Sequence, residues 1–290
     1  MKTGSEIIVD VLADEGVETI FGYSGGAILP TYDEVFKYNE ANPENPMPLI
    51  VPSNEQGAGF MASGYARSTG KPGVVMVTSG PGATNTVTPV RDAMADSIPM
   101  VIICGQVSRQ AIGSDAFQEA PVTSVMGSVA KHVFLVTDEN KLAATLKAAF
   151  EVATSGRPGP VVVDIPKDVQ TAEISEGDYG DTNISAYSNR ILAIEKSRLN
   201  EKKSSEFFAH LGNSKRPLIY FGGGVISASA SKELREFVDY FNLPAVSTLM
   251  GLGAVDTRHP SSLHMLGMHG TPYANYAVQE SDFLIAIGSR

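Results

Sequence analysis

In the stretch VPSNEQGAGFMASGYAR, residues 51–67, a single carboxylate, Glu55, stands where an apolar run gives way to a segment of small side chains. A glutamate there has two uses. It can favour a helix start through the macrodipole, by about 0.3–1 kcal/mol, or it can share a proton with a ligand held at the end of a strand. Ser53 and Gln56 read as a Ser-x-x-Gln capping box that puts Glu55 in the first turn. Ala58, Ala62 and Ala66 follow at helical spacing and let another backbone approach closely. Pattern alone favours the helix-start use. Placement favours the ligand, because open α/β sheets bind ligands at the carboxyl ends of their parallel strands.

Four other stretches share that strand-to-turn placement. TSGPGATN (78–85) makes a tight turn whose N–H groups could hold an anion. It is neither a Walker loop nor a complete G-x-G-x-x-G fingerprint, so a turn that merely needs glycine dihedrals explains it equally well. FGYSGGAILP (21–30) repeats the pattern, and GQVSRQAIGSDAFQEAP (105–121) is a long polar loop carrying Phe117 and Gln118. SGRPGPVVVDIPKDV (155–169) flanks a buried strand with Arg157 and Lys167, which read equally well as a carboxylate partner and a solvated strand end. Several such loops meeting at one sheet edge would form a cleft.

The elements that must position these loops alternate in type. ETIFGY (18–23), PLIVP (48–52), GVVMVTS (73–79), PMVIICG (99–105), HVFLV (132–136) and GPVVVDIP (159–166) read as strands, with helices near 5–15, 55–68, 83–96 and 140–154. This alternation predicts an α/β fold, a parallel six-stranded sheet with helices on both faces, since parallel strands need crossover connections. NEANPENPMP (39–48) reads as a surface loop, and the polar stretch 171–190 as an interdomain linker. A second, partial Rossmann-like α/β unit follows: a helix near 195–211, the strand PLIYF (217–221), the turn GGG (222–224), a helix near 229–241 and a strand near 244–249. The final run DFLIAIGSR ends just after a strand, with the expectation that further sequence completes the fold.

With 290 residues, 43% of them hydrophobic, the chain suits two domains with buried cores. The formal charge of −10, with no Lys/Arg-rich stretch, argues against nucleic acid as a partner. No apolar run approaches the roughly 20 residues that span a bilayer, and the amino terminus has no signal or transit-peptide character, so no membrane association is expected. A cytoplasmic protein is expected, or a plastid or mitochondrial one whose presequence has been removed. The lone cysteine, Cys104, lies in MVIIC and reads as a core thiol.

FGYSGGAILP, NEQGAGFMASGYAR, TSGPGATN, GSDAFQEA, SGRPGPVVVDIPKDV, TLMGLGAVD and MLGMHG occur here in one order. Together they resemble the catalytic subunits of acetolactate synthases (acetohydroxyacid synthases), enzymes that depend on thiamine diphosphate, Mg2+ and FAD. The resemblance implies a pyrimidine-binding domain at 1–172, a linker at 173–194 and a central FAD-binding domain from 195 that is cut at Arg290. The C-terminal domain that holds magnesium and diphosphate, with its Gly-Asp-Gly…Asn motif, is absent from these 290 residues, so no metal ligand is expected here and the piece alone would be inactive.

By the same resemblance Glu55 would hydrogen-bond N1′ of the cofactor's aminopyrimidine, with Tyr23, Pro81 and Asn85 around that ring. Gln118 and Phe117 would line the substrate side, Gly26 and Ala27 would lie near the reacting carbons, and Lys167 would stand at the channel mouth. Arg157, Gly222, Gly223, Thr248, Leu249, Leu266, Gly267, Met268, His269, Gly270 and Arg290 match flavin-binding segments. The implied reaction condenses pyruvate with a second 2-keto acid, pyruvate or 2-oxobutyrate, with loss of carbon dioxide, the first common step of branched-chain amino-acid biosynthesis. A homodimer or homotetramer is implied, with a small regulatory subunit as a further partner. Three departures lie near the site: Ser24 where the family usually has proline, Asn54 where it has histidine, and Ser108 where proline is common. Rival readings are another FAD-containing thiamine-diphosphate enzyme, such as a pyruvate oxidase or glyoxylate carboligase, and a non-catalytic flavin-binding module.

Overall fold

The computed structural model describes residues 1–175, 184–197 and 199–290, which divide into two compact units, Met1–Lys196 and Ser197–Arg290. The first unit begins β1 (Lys2–Thr3), α1 (Gly4–Asp14), β2 (Ile20–Tyr23), α2 (Leu29–Ala41), β3 (Leu49–Ile50), α3 (Glu55–Thr69) and β4 (Gly73–Val77). It continues α4 (Pro81–Asn85), α5 (Val87–Asp96), β5 (Met100–Gln106), α6 (Val122–Gly127), β6 (His132–Leu135), α7 (Leu142–Thr154), β7 (Pro160–Pro166), α8 (Lys167–Thr171), β8 (Glu173–Ile174) and α9 (Ser185–Lys196).

The six strands read from the sequence form one parallel sheet in the order β3-β2-β4-β5-β7-β6. β4, β5 and β7 are buried along their whole length, which is why GVVMV, MVIIC and PVVVDIP are nearly continuous apolar runs rather than alternating ones. α1, with its Ile7, Ile8, Val11 and Leu12, and α7, with its Leu142, Leu146, Ala149 and Phe150, join one core with Val74, Val101, Val161 and Val163. A capping box between Thr3 and Glu6 starts α1.

Three features were not legible. α2 lacks an apolar stripe; it buries Thr31, Tyr32 and Val35, and the Tyr32 hydroxyl donates to the Met76 carbonyl at 2.9 Å. Gly22 permits that reach, since a Cβ there would lie 2.4 Å from the Tyr32 oxygen. β1 and β8 pair as a small antiparallel ribbon. The polar stretch taken as linker is helical over Ser185–Lys196, where Tyr187 bonds the Ser155 carbonyl at 3.0 Å; its residues 176–183 lie outside the described residues.

The second unit runs α10 (Glu201–Asn213), β9 (Pro217–Phe221), α11 (Gly223–Ser227), α12 (Ser231–Phe241), β10 (Ala245–Ser247), β11 (Ser262–Met265), α13 (Pro272–Glu280) and β12 (Phe283–Ile287). Its parallel sheet has the order β11-β10-β9-β12, so the closing strand lies beside β9. The sequence reading missed β11 and α13, and it placed the opening helix of this unit near 195–211, whereas that helix, α10, starts at Glu201. Among the described residues no helix is long and apolar enough to cross a membrane.

Candidate active site

Glu55 is the first residue of α3 and is 9% exposed. The cap is Asn54 rather than Ser53: Asn54 is the last extended residue, with φ −160° and ψ 168°, and its Oδ1 accepts the Gly57 N–H at 2.8 Å. Asparagine caps as well as serine does, so the sequence offered two registers and the backbone took the later one. The shift places the Glu55 carboxylate at the very start of the helix. There its Oε2 accepts a hydrogen bond from Asn85 Nδ2 at 2.8 Å, joining the turns after β3 and β4.

A Cβ on Gly82 would sit 2.7 Å from the Thr78 methyl, so glycine lets this turn pack against Thr78, and 3.5 Å from Glu55 Oε1, an ordinary contact. Tyr32 lies close by: burial first, and the Glu55 charge second, push its phenol well above the ordinary tyrosine range. No Lys, Arg or His among the described residues forms an ion pair with Glu55. Oε1 accepts no hydrogen bond among the described residues and is not fully buried, so it can be reached from outside the chain.

The other predicted residues of this unit fall mostly around the same edge. Tyr23 ends β2, and Gly26 and Ala27 follow it; the Ala27 N–H donates to Thr78 Oγ1 at 3.3 Å, and the same Thr78 packs against Gly25 and Gly82. Pro81 opens α4, which Asn85 ends. Phe117 is 87% exposed, and Gln118 is exposed with a left-handed backbone, φ 58°. A Cβ on Gly80 would lie 2.3 Å from the Gln118 carbonyl oxygen, so the loop after β5 and the turn after β4 touch backbone to backbone. Lys167 is exposed at the start of α8, just past β7.

Arg157 is the exception. It precedes β7, at the opposite end of the sheet, and its guanidinium donates to Ser97 Oγ at 2.8 Å and to the carbonyls of Met94 and Ala95 at the end of α5. That is the way a basic side chain caps a helix C-terminus.

Sequence reasoning missed a polar network beneath the site. Gln106 Nε2 bonds Asp164 Oδ2 at 3.0 Å and the Ala120 carbonyl at 3.2 Å, while Asp164 Oδ1 is buried without a partner. Burial pushes Asp164 up to about 7, against the opposing effect of the Gln106 bond. Cys104 beside it is fully buried, and burial, then Asp164, push its thiol well up, which fits a core cysteine. Arg109 also went unnoticed; it bonds Asp168 and Glu139, both at 2.6 Å, tying the start of the 107–121 loop to the ends of β7 and β6. A Gln or Asp inside an apolar strand run is the only sequence signal for such a network.

In the second unit, Gly222 and Gly223 follow β9, Thr248 and Leu249 follow β10, residues 266–270 follow β11 and Arg290 follows β12, all at the carboxyl ends of the strands. The glycines there pack against backbone: a Cβ on Gly222 would lie 2.5 Å from the Gly288 oxygen. The Gly222 and Gly224 N–H groups are spent on the carbonyls of Ile287 and Gly288, at 3.0 and 2.9 Å, so this turn is not an anion nest. Gly267 takes φ 102° and exchanges two hydrogen bonds with the Asn275 side chain, at 2.8 and 3.0 Å, while Thr248 Oγ1 accepts the Gly251 N–H at 3.1 Å. Leu249 and Met268 are 67% and 91% exposed, and His269 and Arg290 are also exposed. Gly270 cannot carry a side chain either, with Met265 O 2.3 Å from its Cβ position. Among the described residues no group of three His, Cys, Asp or Glu side chains is placed to hold a metal.

Residues 2–126 match the N-terminal TPP-binding domain of thiamine pyrophosphate enzymes, and residues 205–290 match the central domain of the same enzymes. The chain belongs to the thiamine pyrophosphate enzyme family. Its N-terminal unit is a domain of the kind that binds that cofactor. The chain is 46% identical over 294 residues to the mitochondrial acetolactate synthase catalytic subunit of Aspergillus candidus, covering 100% of this chain and 41% of that protein. It is 46% identical over 290 residues to the corresponding subunit of Saccharomyces cerevisiae, covering 99% and 41%, and 45% identical over 291 residues to acetolactate synthase of Arthrospira platensis, covering 99% and 49%. It therefore spans two-fifths to one-half of the length of these relatives.

Proposed function

We propose that the protein condenses pyruvate with a second 2-keto acid, with loss of carbon dioxide, as an acetolactate synthase. The observation that carries this reading is the buried Glu55 carboxylate, which among the described residues accepts a side-chain hydrogen bond from Asn85 alone, at the carboxyl edge of the sheet, in a chain similar throughout to acetolactate synthases. Thiamine diphosphate, when bound, supplies the electron sink for decarboxylating a 2-keto acid. The protein's part is to bind, orient and hold protons. Glu55 Oε1, which accepts no hydrogen bond among the described residues, would hold the proton shared with N1′ of the aminopyrimidine, while Asn85 keeps Oε2 from turning away. Tyr23 and Pro81 flank the ring; Gly26 and Ala27 leave room at the reacting carbons; Phe117 and Gln118 meet the keto acid; and Lys167 stands at the mouth.

FAD belongs at the carboxyl edge of the second sheet, against Gly222, Gly223, Thr248, Leu249, Arg290 and the segment from Leu266 through Gly267, Met268 and His269 to Gly270. What supports it is the exposed apolar rim of Leu249 and Met268, not a phosphate nest. We assign Arg157 to the flavin as well, although its guanidinium already caps α5. Mg2+ belongs to the diphosphate side of the cofactor, in sequence outside this chain. The active enzyme is taken to be a homodimer or homotetramer, with a small regulatory subunit as partner, in the cytoplasm or, where a presequence has been removed, in a plastid or mitochondrion.

The test is to incubate full-length protein with pyruvate, thiamine diphosphate, Mg2+ and FAD. Acetolactate as the product supports the reading; hydrogen peroxide in its place assigns a pyruvate oxidase and overturns it.

A further inference from the structure

Residues 107–121 leave β5 and return at α6 with three left-handed backbones, Gly113 at φ 84°, Asp115 at 56° and Gln118 at 58°. Asp115 and Gln118 occupy that region only where their surroundings hold them there. The base of the loop is fixed by Arg109 on Asp168 and Glu139, and its far end by Gln106 on the Ala120 carbonyl. Between those anchors the Glu119 side chain closes the tip, and Ser114 Oγ donates to the Ala111 carbonyl at 2.7 Å. The Glu119 carboxylate accepts the N–H of Gly113 through Oε1 and that of Ala116 through Oε2, the latter at 2.9 Å, and the Glu119 N–H returns to the Ala116 carbonyl at 2.9 Å. These N–H groups, Gly113 first and Ala116 second, hold its carboxyl below the usual range. Backbone N–H bonds to a carboxylate are roughly twice as strong as neutral ones.

We infer that Glu119 is a positioning residue: by gathering the Gly113 and Ala116 N–H groups it keeps the loop closed, with Gln118 left-handed, and so presents Phe117 and Gln118 to the 2-keto acid. The keto-acid half rests on the function proposed above; the loop closure does not. The closed loop presses the Gln118 carbonyl against Gly80, which caps the helix bearing Asn85, so the substrate side and the Glu55 side share one backbone contact. Without Glu119 the loop spends part of its time open. Substrate then binds only the closed fraction, which raises KM by the inverse of that fraction and leaves the saturated rate alone.

The experiment uses the full-length holoenzyme with Glu119→Ala and Glu119→Gln, reading pyruvate kinetics, amide hydrogen exchange of residues 107–121 and the thermal midpoint. Glu119→Ala is expected to speed exchange at Gly113 and Ala116 and to raise KM for pyruvate about tenfold, with kcat within about twofold. Glu119→Gln keeps one acceptor oxygen and falls between, and the thermal midpoint holds in both. A purely structural role would lower the midpoint and the amount of active enzyme without moving KM. Wild-type exchange in Glu119→Ala overturns the inference, as does faster exchange with an unchanged KM. If the wild-type protein makes no product from pyruvate, the proposed activity fails, and the exchange rates alone then decide the loop assignment.

Discussion

Gly26 and Gly222 each follow a parallel strand of their unit, β2 and β9, yet they keep opposite kinds of space. A Cβ on Gly26 meets nothing within 4 Å, whereas one on Gly222 lies 2.5 Å from the Gly288 oxygen. At Gly26 the missing side chain leaves open space, and side chains, Glu55 on Asn85 and Gln106 on Asp164, fix the surroundings. At Gly222 glycine lets two strand-end loops of the chain itself press together, and the Gly222 and Gly224 N–H groups are used up in doing so. Similar glycine-rich strand ends therefore differ in what a substitution should break.

The largest contrast is in pH. The first unit buries Asp164 within its sheet, while among the described residues the buried polar side chains of the second unit reduce to Ser247. The folded Asp164 carboxyl titrates at about 7, against 3.8 ordinarily, so the unfolded chain loses its proton first as pH rises. The contribution of this group is then full below about pH 4, falls between about 4 and 7 and levels above that, by up to about 4 kcal/mol. Urea denaturation across that range should show this slope in the wild type and its loss in Asp164→Asn; a slope kept in the variant would assign it to another group.

Gly222→Ala comes next. Its methyl meets backbone that cannot move aside cheaply, so about 2–3 kcal/mol of stability should be lost by denaturant titration. Asn85→Ala removes the hydrogen bond that Asn85 Nδ2 donates to the Glu55 carboxylate, worth about 1.5–3 kcal/mol for a charged acceptor, and kcat/KM for pyruvate should drop about tenfold or more while the fold survives. Gly26→Ala is the smallest for stability, within about 0.5 kcal/mol, and its effect should appear instead as a raised KM for pyruvate. Equal stability losses for Gly26→Ala and Gly222→Ala would erase the distinction between the two edges.

How much of this was legible depends on where the signal is carried. The central strands announce themselves, because GVVMV, MVIIC and PVVVD are apolar on both faces. Glu55 was visible as a carboxylate at a strand-to-helix junction, but the cap register was not, since Ser53 and Asn54 are both good caps. α2 was invisible because its attachment is polar: Thr31 Oγ1 bonds Gln170 Oε1 at 2.9 Å, and a buried threonine leaves no periodic trace. α9 was hidden for a related reason, its docking being carried by Tyr187 on Ser155. The Gln106–Asp164 and Arg109–Asp168 links join segments about 60 residues apart, a distance over which no spacing rule operates.

The most direct measurement is kcat for pyruvate in full-length Glu55→Gln, with thiamine diphosphate, Mg2+ and FAD saturating. Glutamine keeps the shape and the Asn85 contact but cannot hold the shared proton, so kcat should fall on the order of 100-fold or more with the thermal midpoint unchanged. A kcat within about twofold of wild type would reduce Glu55 to a helix-start residue and contradict the account.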